Sequence, residues 1–378
     1  VLDVTVAGER YIWMSFEGFG TLCLDWYTKN AWHYHSKNSP LSNFDKPINF
    51  GDASVWFASS HGVIKAYESA YTMYNQKFDT SLSNIQGFFA AGNQSFLLAA
   101  ANSLMHLQYT NGHLQPPKVI GQLPAGEGII HLCRSYDNHN YLLTNRISKL
   151  YRYHGKGTGI TPAHDLNKAI APRLAGVRGY YSSSLQSVLF AQSGKVWQIG
   201  PQGKLTKIPV TGADSPYLRG FTELSGGAVW GIHLDGVCKL VNKQFVPVKL
   251  IPALPPTAEI ISIAAVNDTL WLGTLTDGLY GITEQNHCLV RVVHVHEKNG
   301  LWGNSVYKLM NDADGDVWMI TNRGLQCLRQ TPEGRRPVAV HIPGYKYEGL
   351  LYAGLQTDSV GQVWFYNTHS LLSIKRRQ

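Results

Sequence analysis

Short runs of apolar or alternating apolar and polar residues recur along the chain, broken by clusters rich in Gly, Asn and Asp. A period of two between turn residues is the signature of short β-strands, and no segment reads as an amphipathic helix of useful length. Near the C-terminal end, Val306 to Met310 reads as a first strand, Asn311 to Asp316 as a hairpin turn, and Val317 to Thr321 as a second strand. Asn322 to Gly324 then turn the chain into a third strand, Leu325 to Arg329. The same grammar repeats upstream. Ile261 to Ala265, TLWLGT from Thr269 and LYGI from Leu279 form one unit; AVWGI from Ala228 and VCKLV from Val237 belong to another. SVWFAS from Ser54 with VIKAY from Val63 makes a third. Fourth strands are less regular, as at Trp32 to His35 and Leu289 to Val293.

Each second strand carries one large anchor: Trp13, Trp56, Phe96, Tyr141, Leu189, Trp230, Trp271, Trp318 and Trp364. Successive anchors lie 43, 40, 45, 48, 41, 41, 47 and 46 residues apart. One four-stranded blade with its turns uses about 40–50 residues, so the period predicts an all-β propeller in which the anchors fill the core between blades. Nine units are counted. Seven of them form a ring over residues 83–378, and residues 1–82 hold two further units of a neighbouring propeller. This division is favoured over a single larger ring or a miscounted unit. The last unit ends at its third strand, placed at Ser373 to Arg377, so its outer strand must come from the other end of the ring. Gly62, Gly236, Gly278 and Gly324 close the turns after second strands, where a positive φ is expected.

Composition supports this and narrows the partners. Apolar residues make up 44%, aromatics 11% and charged residues 15%, which fits aromatic-rich strands and excludes a disordered chain. The net charge is +8, but the cations are scattered apart from Lys375, Arg376 and Arg377. No basic helix or RNA-reading motif accompanies them, so no nucleic acid partner is expected, while an acidic small ligand fits the charge. Of five cysteines, Cys23, Cys238 and Cys327 fall at equivalent places after their anchors and read as buried small side chains rather than disulfides. No run of 18 apolar residues occurs, and the start inside a strand-like segment points to a processed chain or a fragment.

The unit around Trp318 carries a longer pattern. Asn299 to Val306 reads NGLWGNSV, followed by YKLMNDADGDVWMITNRGLQCL. This resembles the two-component regulator propeller repeat: N-G-L-x-x-N-x-V, a strand, D-x-x-G-x-x-W-[IV]-G-T, a turn, and G-L. Asp312, Gly315, Trp318, Thr321, Gly324 and Leu325 match, and Ile320 replaces the usual glycine. Trp271, Leu272, Gly273, Thr274, Gly278 and Leu279 match the core of the preceding unit. The match is partial around Trp13, Trp56, Trp230 and Trp364 and poor between them. The resemblance implies seven-bladed rings, commonly two in tandem, in the periplasmic sensor region of hybrid two-component systems of gut-type Bacteroidetes. It also implies a homodimeric full-length sensor that recognises glycan fragments and signals to a histidine kinase. That kinase would control polysaccharide-utilisation genes. The membrane would be reached only through a segment outside these residues.

No catalytic motif is present: no G-x-S-x-G, no H-E-x-x-H and no P-loop, so no enzyme activity is expected of this region. The glycine-rich His154 to Ile160 lacks phosphate-loop spacing. Asp312, Asp314 and Asp316 alternate as in a calcium loop but without its glycine position or its closing glutamate. His33 with His35, and His294 with His296, have strand spacing that suits a metal but lack a third ligand. No metal and no cofactor are therefore expected.

Binding suits the scaffold better. The turn between second and third strands emerges beside the blade connection, and together these ring one mouth of the axis. The candidate ligand-binding residues there are Asn145, Arg146, His233, Asp235, Asp277, Trp302, Asn322, Arg323, Tyr345 and His369. Planar hydrogen-bonders, cations and aromatics are the combination a sugar needs, and arginine suits a uronate or sulfate. Two other classes remain open: an extracellular propeller enzyme acting on polysaccharide, and a protein-interaction propeller without a small ligand.

Overall fold

The computed structural model describes residues 3–374 other than 8–9, 28, 36–45, 50–53, 60–61, 68–70, 77, 93, 111–112, 126, 135–139, 145–148, 154–159, 166–178, 193–194, 202, 213–217, 234–235 and 341–346. The chain divides into two compact units, Val1–Ala70 and Tyr71–Gln378.

The larger unit is a β-propeller of seven sheets, each with a core of antiparallel strands. Blade 1 contains Ile85–Gly92, Ser95–Ala100 and Ser103–Thr110, with His113–Leu114 and Lys118–Gln122 sharing the outer place. Blade 2 runs Ile129–Arg134, Asn140–Thr144, Lys149–Tyr153 and Ile160–Asp165. Blade 3 runs Gly179–Ser182, Ser187–Gln192, Lys195–Ile199 and Leu205–Ile208. Blade 4 runs Gly220–Glu223, Val229–His233, Gly236–Val241 and Gln244–Val248. Blade 5 runs Ile260–Val266, Thr269–Thr274, Leu279–Gln285 and Cys288–Val295, with Leu250–Ile251 added in parallel outside. Blade 6 runs Val306–Asn311, Val317–Thr321, Gly324–Thr331 and Gly334–Ala339. Blade 7 contains Gly354–Thr357, Val363–Tyr366 and Ser370–Ile374.

The first strand of each blade lies against the first strand of the next, and that of blade 7 lies against that of blade 1. These inner strands therefore form a closed ring of seven. Blade 7 takes its outer strand from the start of the unit: Tyr71–Asn75 pairs antiparallel with Ser370–Ile374. Closure this way removes an edge that would otherwise template aggregation. It also sets the division at Ala70 and Tyr71 instead of residues 82 and 83, because Tyr74 is buried beside Trp364 and its hydroxyl accepts the Leu114 N–H at 3.1 Å. The third strand of blade 7 begins at Ser370, ahead of the expected Ser373, because the Asn367 side chain accepts both the N–H and the hydroxyl of Ser370 and closes the turn there.

The periodic anchors sit on second strands, as their spacing requires. Phe96, Leu189, Trp230, Trp271, Trp318 and Trp364 are all buried. Trp364 shows the role: it packs with Phe88, Phe96 and Leu98 of blade 1, so one side chain ties the last blade to the first. Truncating such a residue to alanine costs about 3–5 kcal/mol. Cys23, Cys238 and Cys327 are buried on third strands, and burial pushes their thiols up to about 12, 11 and 12, with Asp25 and Asp316 adding to the first and last.

The smaller unit contains two blade-type sheets. One has four strands, Asp3–Ala7, Tyr11–Phe16, Gly20–Asp25 and Ala31–Tyr34; the other has three, Lys46–Ile48, Ser54–Ser59 and Gly62–Tyr67. Ala7, Trp13, Cys23, Val55 and Phe57 form their shared core. Arg10 makes two hydrogen bonds to the buried Asp25, at 2.8 and 3.1 Å. Among the described residues, no helix is long and apolar enough to cross a membrane.

Candidate functional site

In each blade, the turn between second and third strands and the connection to the next blade share one end; the hairpin turn between first and second strands lies at the other. The connection end is best defined between blades 5 and 6. After Cys288–Val295 the chain makes one 3-10 turn, Glu297–Asn299, capped by His296. The Asn299 carboxamide accepts the His296 N–H at 2.6 Å and donates to the His294 carbonyl at 2.8 Å. The Asn304 side chain accepts the Glu297 N–H at 2.9 Å, and its carbonyl accepts the Gly278 N–H at 2.8 Å. Leu301 is buried beneath this loop. The motif asparagines thus fold the connection and pin it to the neighbouring turn.

Four of the sequence candidates come together here. The Trp302 N–H donates to the buried Gln326 side chain at 2.7 Å, which leaves the half-buried indole at the connection. Asn322 donates its N–H to Ser305 at 3.0 Å, and a Cβ at Gly303 would fall on its side-chain oxygen, so only glycine lets the connection reach the turn. The exposed Arg323 guanidinium lies 3.4 Å from the Glu297 carboxylate. Asp277, on the blade 5 turn, is held on three sides. Its N–H donates to Thr274 Oγ1 at 2.9 Å, its carboxylate accepts the Tyr280 hydroxyl, and its carbonyl accepts His294 Nε2–H at 2.7 Å. His294 stacks on Tyr280 at 4.1 Å. Burial, with the hydrogen bond to Asp277 adding to it, raises the Tyr280 pKa, so the phenol stays a donor.

The other candidates are dispersed. His233 is buried at the end of its strand, with its ring against Gly236. That glycine does not adopt the positive φ expected of it; the space its missing Cβ leaves, 2.7 Å from His233 Nε2, is what the ring requires. Gly278 and Gly324 do have positive φ, at 79° and 141°. His369 is exposed on the blade 7 turn, its N–H bonded to Asn367 at 2.9 Å. Asn145, Arg146, Asp235 and Tyr345 lie outside the described residues.

Inward of these turns is a recess of about 150 Å3, lined by residues 179–180, 219–221, 261–263 and 308–309. All belong to, or directly precede, the inner strands of blades 3 to 6, so the recess lies on the axis. Arg219 stands just before its strand and pairs with Glu259, in the equivalent place one blade on, at 2.9 Å. Lys308 is half-buried in the wall. The sequence reading missed Arg219, Tyr180 and Lys308. The available signal was a charged residue immediately before an inner strand, occurring one repeat apart at 219 and 259.

The two H-x-H pairs are close, with ring centroids 4.9 Å apart for His33 and His35 and 4.8 Å for His294 and His296. They are repeats of one staple. His33 Nε2–H donates to Phe19 O at 2.6 Å, as His294 does to Asp277 O, and each first histidine stacks on an aromatic ring. Gly20 and Gly278, both at positive φ, sit in the two stapled turns, where a Cβ would strike the Tyr34 and Val295 carbonyls. Among the described residues, no group of three or more His, Cys, Asp and Glu is placed to hold a metal ion.

No protein-family model matches the chain, and no curated protein matches it. Solved structures do. Virginiamycin B lyase from Staphylococcus aureus aligns at 15% identity over 81% of this chain and 99% of its own, with a TM-score of 0.59. The WD40 β-propeller domain of Doa1 aligns at 8% identity over 78% of this chain and 94% of its own, with a TM-score of 0.56. At such identities the likeness establishes the propeller fold alone. The extracellular domain of a putative hybrid two-component system from B. thetaiotaomicron aligns at 12% identity over 96% of this chain and 57% of its own. Its TM-score is 0.37, which carries no argument.

Proposed function

We propose that the chain is the extracytoplasmic, periplasmic sensor region of a hybrid two-component regulator, and that its seven-bladed ring binds a glycan fragment without turning it over. The observation that carries the reading is the NGLWGNSV connection with its following D-x-x-G-x-x-W strand. This pattern resembles the sensor family's repeat, with Ile320 in place of the usual glycine, and its asparagines and glycines have defined structural work in blades 5 and 6. The two sheets before Tyr71 then belong to a neighbouring propeller. Ligand binding at the connection end would bias the arrangement of propellers and paired subunits, and so the state of a kinase across the membrane.

The ligand class is supported by an indole, an amide, a guanidinium and a carboxylate gathered at the connection between blades 5 and 6, and by an axial recess between the inner strands. A panel of neutral and acidic oligosaccharides, followed by calorimetry and by product analysis, tests it. Binding without new products is expected. Product release would replace the sensor with a polysaccharide-active enzyme. Failure of every oligosaccharide alongside capture of a protein ligand would make the ring an interaction module.

A further inference from the structure

The geometry points to the axial recess between blades 3 and 6 as a binding site for a carboxylate-bearing sugar unit, with Arg219 and Lys308 as its cations. The inference rests on the reading that this end of the ring receives a glycan, and it names the chemical class.

Three features of the recess select that class. First, its size: about 150 Å3 is room for roughly five waters, or one pyranose ring. Second, its walls: Phe221, Ile261, Ile263 and Leu309 give apolar surface, and Tyr180 is a half-buried aromatic. Such surface covers the C–H face of a sugar. Every inner strand is also the edge of its sheet, so its alternate backbone N–H and C=O groups face the axis, where hydroxyls would meet them. Third, its charge. Arg219 and Lys308 place two cations in the wall, and the Glu259 carboxylate pairs with Arg219. A guanidinium has five N–H donors, and among the described residues Arg219 gives one to Glu259. The remaining fork matches a carboxylate in bidentate geometry.

The Arg219–Glu259 pair also suits a gate for the same ligand. Both side chains are partly exposed, at 43% and 36%, so the pair is screened and readily exchanged. An incoming carboxylate would compete with Glu259 for the guanidinium and draw it inward. The neutral sugar of the same shape has no such exchange to make.

The test uses one matched pair of probes, trigalacturonate and α-1,4-galactotriose, titrated into the whole chain by calorimetry at low and at physiological salt. The acidic trimer should bind at least ~10-fold more tightly than the neutral one at low salt, with the gap narrowing as salt rises. Lys308→Met and Arg219→Met, which keep the aliphatic stems, should each remove most of the gap while leaving the melting temperature near wild type. Glu259→Gln should tighten the acidic trimer by ~3-fold and leave the neutral one unchanged. Equal binding of the two trimers, or a gap that survives both cation variants, overturns the inference and leaves the glycan reading standing. If neither trimer binds, the inference falls, and the wider neutral panel then decides the glycan reading separately.

Discussion

Blades 6 and 7 hold their hairpin turns differently from blades 3, 4 and 5, although the same tryptophan anchors blades 4 to 7. In blade 6, Asp312 accepts the N–H groups of Asp314 and Asp316, both at 3.0 Å, through one oxygen and the Trp318 indole N–H at 2.7 Å through the other. Asp358 repeats this in blade 7, taking Val360 and Gln362 at 3.1 and 2.8 Å and the Trp364 indole at 3.0 Å. Six residues before Trp230 and Trp271 stand Leu224 and Ala265, and both indole nitrogens are buried with no hydrogen-bond partner among the described residues. There a cation lies over the ring instead, Lys239 at 5.1 Å and Arg335 at 5.2 Å. The turns of blades 3 to 5 are tied to one another. Glu223 of blade 4 accepts from Ser182, Ser183 and Ser184 of blade 3, and Asp268 of blade 5 accepts from Ser225 of blade 4. Capping within a blade and stitching between blades are two solutions to one problem, the unpaired donors of a tight turn. The aspartate of the repeat motif is therefore architecture at the hairpin end and says nothing about ligand.

Breaking the caps should have the largest effect. Asp358→Ala leaves two turn N–H groups and a buried indole without an acceptor, and should cost about 3 kcal/mol in chemical denaturation. Leu224, the blade 4 counterpart, has no such role; replacing it with Ala removes only part of a packed side chain. Next comes the indole itself: Trp364→Phe should cost about 1–2 kcal/mol more than Trp230→Phe, because only the former breaks a hydrogen bond to a buried carboxylate. Equal costs would mean that the indole bond contributes nothing.

The stitched side responds to pH. Burial alone would raise the Glu223 carboxyl, but the serine hydrogen bonds outweigh it and hold the pKa below its ordinary value of 4.5. A lowered folded pKa contributes stability that is present above the unfolded value and lost as pH falls through the folded one. Glu223→Gln should therefore lower the melting temperature by about 1–2 °C at neutral pH and by less near pH 3. A difference unchanged between the two would remove the ionised carboxylate from the stitch. Smallest is Ser225→Ala, expected within about 0.5 kcal/mol of wild type because its bond to Asp268 is long and exposed.

The contrast also explains what could be read from the chain. Trp230, Trp271, Trp318 and Trp364 were legible because each fills one blade core, whatever holds the turn beside it. Strand and turn order followed from local patterning, and so did the approximate outer strands. The outer strand of blade 7 was not placed, because Tyr71–Asn75 finds its partner almost 300 residues away and nothing local marks it as belonging to Ser370–Ile374. Asp277, Trp302, Asn322 and Arg323 were legible as turn residues, and the connection motif brings them together. Arg219, Tyr180 and Lys308 were not, because inner-strand residues meet only once the ring has closed. His233 misled for a local reason: a polar residue at a strand end reads as exposed, yet its ring fills the space beside Gly236.

The central claim is that the aspartates Asp312 and Asp358 close the hairpin end while recognition occupies the connection end. Hydrogen exchange read by mass spectrometry, with and without trigalacturonate, tests it most directly. Protection should appear in residues 218–223, 257–263, 297–304 and 321–324 and leave 311–317 and 357–363 unchanged. Protection confined to 311–317 and 357–363 would contradict the account, since it would put the ligand on the turns that Asp312 and Asp358 hold closed.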